Sequence, residues 1–200
     1  LAAQIADLYK EHAYLLDCPI IDCDDKQIFL ELKAGTAGKI HLSRSLVLLM
    51  RMMKTYYHKP VILLLDEYDV PLAKASSHGY YTEMLSLIKT LLSTALKDNP
   101  NLCFSVITGC LKIAKESIFT GTNNFVSDTI SHSRLNEYFG FTENDVNTLL
   151  KKAHAEIHAS QVKYWYDGYR FGDFDVYCPW DVMNYLRDLQ INPQAHPSSY

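Results

Sequence analysis

The stretch Pro60-Val61-Ile62-Leu63-Leu64-Leu65-Asp66-Glu67 opens with a residue that cannot continue a helix, runs through five aliphatic side chains and stops on two acids. A short unbroken apolar run with such boundaries predicts a strand buried on both faces, as in a parallel sheet. A second run, Leu102-Cys103-Phe104-Ser105-Val106-Ile107, follows the breaker Asn99-Pro100 and ends at Thr108-Gly109. Between them, Tyr81, Leu85, Ile88, Leu92 and Ala95 recur at helical spacing over residues 80–97. Strand, helix and strand in this order make a βαβ unit with its second strand parallel to the first. The fold class expected is therefore α/β, a parallel sheet with flanking helices.

The two acids sit where such a sheet does its chemistry. Ligands of open α/β folds bind outside the carboxyl ends of the strands. Four or more apolar residues followed by Asp-Glu form the Walker B pattern. Asp66 is then a candidate Mg²⁺ holder, directly or through water, and Glu67 a candidate general base for an attacking water. Two acids on an apolar strand are costly unless an ion or donors compensate them. The plainer alternative is a strand that merely ends in charged loop residues. Thr108, at the tip of the second run, occupies the place where many ATPases of the additional-strand class carry a polar sensor for the terminal phosphate or the attacking water. Its alternative is a cap for a following helix over 111–117. A metal-dependent hydrolase using Asp66, Glu67 and Asp69 directly is a third option, with no fixed ligand set nearby.

No complete phosphate loop accompanies these strands. Gly35-Thr36-Ala37-Gly38-Lys39-Ile40 lacks the GxxxxGK spacing, places Ile where a metal-binding hydroxyl belongs and follows no buried strand, so it reads as an interhelix turn. Upstream of Pro60 the apolar spacing predicts helices over 2–17, 24–32 and 41–57. Downstream it predicts a loop at 121–124, a short strand at 125–130, a helix over 143–158 capped by Thr142, an aromatic ordered turn at 164–174 and a last helix over 180–189 begun by Pro179. His154 and His158, four apart on that helix, have zinc spacing without a third ligand. Trp165, Tyr166, Tyr169 and Trp180 suit a core between core domain and lid better than a base-stacking platform.

Composition narrows the class of protein. The chain has 200 residues, 48% hydrophobic and 21% charged, which is globular. Nineteen Lys and Arg against 23 Asp and Glu give a formal charge of −4, so a strongly basic nucleic-acid footprint is absent, although a local patch remains compatible. No apolar run is long enough to span a bilayer. Five cysteines, without a CxxC pair, imply reduced thiols and a cytoplasmic protein. A start at Leu1 and an end at Pro197-Ser198-Ser199-Tyr200 suggest a piece of a longer chain.

Four ordered blocks resemble a known family. Leu63 to Leu72, with Asp66-Glu67-Tyr68-Asp69 at its centre, resembles the LIDEYDxPL block of the bacterial AAA-ATPase-like family. Thr108-Gly109 through Lys112-Ile113-Ala114-Lys115-Glu116-Ser117-Ile118-Phe119 is similar to its TGxxRIAKESIF block, with Lys112 where Arg is usual; the charge is kept and the planar fork is not. Phe139-Gly140-Phe141-Thr142-Glu143 resembles FGFTEEEV, and Trp165 to Gly172, then Tyr177-Cys178-Pro179-Trp180, resembles the last block. The resemblance implies a partial P-loop NTPase of the additional-strand class, with its first strand and phosphate loop upstream of Leu1. It also implies a mostly helical lid at 141–200 beside a core at 1–140, and in many members a restriction-endonuclease-like domain downstream. Mg²⁺ and ATP are the implied ligands: Asp66 on the metal, Glu67 and Thr108 in catalysis, Lys112 and Arg170 on phosphate. The rival expectation is a nucleotide-sensing or scaffolding module with negligible turnover.

Overall fold

The fold was obtained as a computed structural model, which describes residues 1–110 and 126–200. The chain divides into two compact units, Leu1–Asn124 and Phe125–Tyr200. Among the described residues, no helix is long and apolar enough to cross a membrane.

The first unit begins with α1 (Ala2–Glu11), α2 (Cys23–Ala34), α3 (Lys39–Ser43) and α4 (Ser45–Tyr57). The helix expected over 2–17 ends early: residues 13–17 tighten into a 3-10 turn, and the His12 ring bonds back to the Leu8 carbonyl at 2.9 Å. The single helix expected over 41–57 is two. Ser43 and Ser45 hydroxyls donate to the carbonyls of Ile40 and Leu42, both at 2.8 Å, and such local bonds compete with the helical ladder. Asp22 caps α2 by accepting the Asp24 amide at 2.8 Å. Ile5, Tyr9, Phe29, Leu32, Leu48 and Met52 close one core between these helices.

The βαβ unit follows. β1 (Val61–Leu65), α5 (Val70–Ser77), α6 (Tyr81–Leu96) and β2 (Leu102–Ile107) build it, with β1 and β2 parallel and Leu65 opposite Ile107. The short helix α5, carrying Pro71 in its first turn, was not foreseen. Leu65 and Ile107 pack on Leu72, Ile88, Leu91 and Leu92. The expectation of burial on both faces is corrected here. Ile62, Leu64, Phe104 and Val106 share the opposite face and are exposed, Leu64 by 73% and Phe104 by 60%. Five consecutive aliphatics state that both faces are apolar, not that both are covered.

In the second unit α7 (Glu143–Lys152), α8 (Ala159–Tyr166), β3 (Asp167–Phe171), β4 (Phe174–Tyr177) and α9 (Pro179–Ile191) surround one core of Val146, Leu150, Val162, Tyr166, Val182 and Tyr185. Thr142 caps α7 as expected, in a reciprocal capping box with Asp145. The helix expected to reach residue 158 stops at Lys152. His154 adopts φ 53°, the Ala155 amide reaches back to Leu150 at 2.9 Å and the His154 amide to Lys151 at 3.2 Å. That is a Schellman stop without its usual glycine, and His is among the residues that tolerate the left-handed region. Residues 164–174 finish α8 and enter an antiparallel hairpin rather than a turn alone. Residues 126–130 form no strand; Asp128 instead binds Arg134, whose guanidinium holds the carboxyl below its ordinary pKa. The expected helix at 111–117, the loop at 121–124 and Phe125 lie outside the described residues.

Candidate active site

Parallel pairing brings the tips of β1 and β2 side by side. The Thr108 amide donates to the Leu65 carbonyl at 2.9 Å, and the Tyr68 amide donates to the Thr108 carbonyl at 3.1 Å. These two bonds continue the ladder one step beyond each strand and set Asp66 beside Thr108. Oδ1 of Asp66 accepts the Glu67 amide at 2.9 Å and also the Thr108 hydroxyl. Among the described residues, no donor reaches Oδ2. Glu67 turns the chain with φ 53°, and its carbonyl accepts the Val70 amide at 3.1 Å. Asp69 is buried, and its carbonyl receives the Leu72 and Ala73 amides that start α5.

Gly109 fits this corner because it has no side chain. A Cβ there would lie 2.6 Å from Asp69 Oδ1 and 2.6 Å from Tyr68 Cε1. The Thr-Gly pair and the Glu-Tyr-Asp run, some forty residues apart, are thus one local structure. Gly109→Ala is expected to cost about 1–3 kcal/mol, as overpacking does. Gly38→Ala, where a Cβ meets nothing within 4 Å, serves as the reference. Equal urea midpoints for the two variants would refute the close approach.

The remaining candidates fall elsewhere. Lys112 lies outside the described residues. Arg170 stands on β3 in the second unit, paired across the hairpin with Asp175 at 3.1 Å. His154 and His158 share no helix face: His154 sits in the left-handed stop, and the His158 ring faces Gln161 and Tyr185. Tyr166 is buried, whereas Trp165, Tyr169 and Trp180 are exposed, Trp165 by 50% and Trp180 by 66%.

The second unit carries its own concavity, about 470 Å³, between α7, α8 and the hairpin. Glu143, Asp167, Asp173 and Asp175 line it against one cation, Lys163, which donates to Glu143 at 2.8 Å and is held above its ordinary pKa by that bond. Four acids and one lysine repel phosphates. The hairpin beneath depends on Gly172 at φ 56°, where a Cβ would meet the buried Asn136 amide at 2.5 Å. Asn136 and Gly172 escaped the sequence reading because nothing local marks a contact between residues so far apart.

The acids at the β1 tip suit a hydrated divalent ion. Mg²⁺ keeps several waters and takes one or two carboxylates, and Asp66 offers an oriented carboxylate whose second oxygen meets no donor among the described residues.

No solved structure matches the chain. An uncharacterized protein in the vnfD 5' region of Azotobacter chroococcum mcd 1 is 28% identical over 134 residues, covering 66% of this chain. The chain spans about a quarter of that relative's length, 26%. The family described as "Predicted AAA-ATPase" matches residues 11–119, more than half of the chain and the whole stretch from α2 through both strand tips. On that match the chain belongs to the AAA-ATPase-like family.

Proposed function

We propose that the tips of β1 and β2 are the metal and water edge of an ATP-hydrolysing site. The observation that carries this reading is the Asp66 carboxylate, fixed through one oxygen by two donors and, among the described residues, met by no donor at the other, with Glu67 next in the chain. Asp66 would hold Mg²⁺, and Glu67 would accept the proton of the attacking water. When bound, the ion would neutralise phosphate charge that would otherwise face the acids Asp66 and Glu67. Lys112 and Arg170 belong to the same proposal as phosphate contacts on the strength of the family resemblance. A partner or nuclease domain driven by the cycle rests on that resemblance alone.

In the full-length protein, Glu67→Gln is expected to keep ATP binding and slow hydrolysis about a hundredfold or more, the usual worth of a general base. Asp66→Ala is expected to weaken Mg²⁺-dependent binding instead. Single-turnover hydrolysis and nucleotide titration separate the two effects. Turnover unchanged by Glu67→Gln removes the general base from this edge. A wild type that binds ATP without turning it over favours the sensing or scaffolding module.

A further inference from the structure

Of the two roles expected of Thr108, contact with the terminal phosphate or with the attacking water, the first asks its hydroxyl to donate to a phosphate oxygen. A threonine hydroxyl carries one proton, and here that proton goes to Asp66 Oδ1. In this bond the hydroxyl is the donor and the carboxylate oxygen the acceptor. We infer that Thr108 is a positioning residue for Asp66: it orients the carboxylate proposed above to hold the metal, and acts on nucleotide only through it. The inference rests on that reading of Asp66.

Three features of the corner support the assignment. The Thr108 backbone is pinned on both sides, its amide to Leu65 at 2.9 Å and its carbonyl by the Tyr68 amide at 3.1 Å, so the hydroxyl is placed by the sheet rather than by a ligand. Gly109 beside it admits Tyr68 and Asp69 to van der Waals distance, leaving the Asp66–Asp69 turn one packed arrangement against the β2 tip. Thr108 and the Glu67 amide then converge on the same oxygen. Two donors on Oδ1 oppose rotation of the carboxylate, and among the described residues no donor reaches Oδ2. A hydrogen bond to a charged acceptor is among the stronger ones. Residues that hold a ligating carboxylate in this way typically change metal affinity 10- to 100-fold when removed, without touching the metal.

The test uses the full-length protein and two near-isosteric variants. Thr108→Val keeps the shape and deletes the hydroxyl; Thr108→Ser keeps the hydroxyl and deletes the methyl. The first readout needs no nucleotide: exchange of the Glu67 amide proton, whose acceptor is Asp66 Oδ1. It is expected to quicken in Thr108→Val and stay at the wild-type rate in Thr108→Ser. The second is Mn²⁺ affinity in the presence of ATP, followed by the loss of free-ion paramagnetic signal. Thr108→Val is expected to weaken it about tenfold, with kcat recovered at saturating metal, and Thr108→Ser to restore it. Wild-type exchange of the Glu67 amide in Thr108→Val overturns the inference. So does a kcat loss that saturating metal leaves uncorrected, which assigns the hydroxyl to phosphate or water directly. If the wild type binds no nucleotide, the ATPase reading fails, and the exchange measurement alone still decides whether Thr108 holds Asp66.

Discussion

Tyr185→Ala is expected to lower the stability of the second unit by about 3–5 kcal/mol, the usual cost of emptying a large, fully buried aromatic site. Tyr185 lies on α9 with no exposed surface, among Val146, Leu150, Val162, Tyr166 and Leu189. Its hydroxyl reaches the Gln161 side chain at 3.1 Å and the Ala195 carbonyl at 3.2 Å, and burial pushes its pKa above the ordinary phenol value. Truncation therefore leaves a cavity and three polar groups, His158, Gln161 and the Ala195 carbonyl, without their phenol. Trp165→Ala, at a half-exposed site on α8, is expected to stay within about 1 kcal/mol of wild type, as substitutions away from packed sites do. Both tryptophans of the chain, Trp165 and Trp180, lie in this unit, so in Tyr185→Ala their fluorescence reports the urea midpoint directly. For Trp165→Ala the remaining reporter is Trp180. Equal losses for the two variants would show that Trp165 is covered by something that the exposed α8 surface does not reveal.

The first unit has an equivalent keystone. Tyr9→Ala is expected to cost about 3–5 kcal/mol, because the ring is fully buried and tilted against Phe29 with centroids 4.6 Å apart. Such aromatic pairs add roughly 0.5–1.5 kcal/mol beyond burial. The Tyr9 hydroxyl donates to the Ser45 carbonyl at 2.7 Å, tying α1 to the junction between α3 and α4. Tyr9→Phe keeps the ring and removes only that bond, so a smaller loss of about 1–3 kcal/mol is expected from the buried carbonyl deprived of its donor. Circular dichroism at 222 nm during urea unfolding ranks the three proteins. A Tyr9→Phe loss equal to that of Tyr9→Ala would mean that the hydroxyl, not the ring, holds the junction.

The elements the sequence placed well are those whose signals are local. The strands at 61–65 and 102–107 occur with the expected bounds, because each apolar run is closed by Pro, an acid pair or Thr-Gly. The Thr142 cap is there because its partner, Asp145, is three residues away. The failures share a different cause. The α3–α4 break depends on two serines whose hydroxyls choose carbonyls three residues back. The end of α7 depends on a histidine in a conformation that glycine usually marks. The β3–β4 hairpin hides in an aromatic stretch with no clean alternation of apolar and polar residues.

At the candidate site the division is equally physical. Asp66, Glu67 and Thr108 were legible because an apolar strand must end somewhere, and polar residues at that end stand out against the five apolar ones of each run. Their mutual arrangement was not. Asp66 and Thr108 are 42 residues apart, and only the parallel register of β1 on β2 makes one the donor to the other. Gly109 reads as a mere strand terminator until Tyr68 and Asp69 are seen against it. Burial has the same origin. Hydrophobicity is a property of each residue, whereas covering it takes a second surface, so the sequence determined that both faces of β1 are apolar and the tertiary structure alone decided that Leu63 and Leu65 face inward while Ile62 and Leu64 face out.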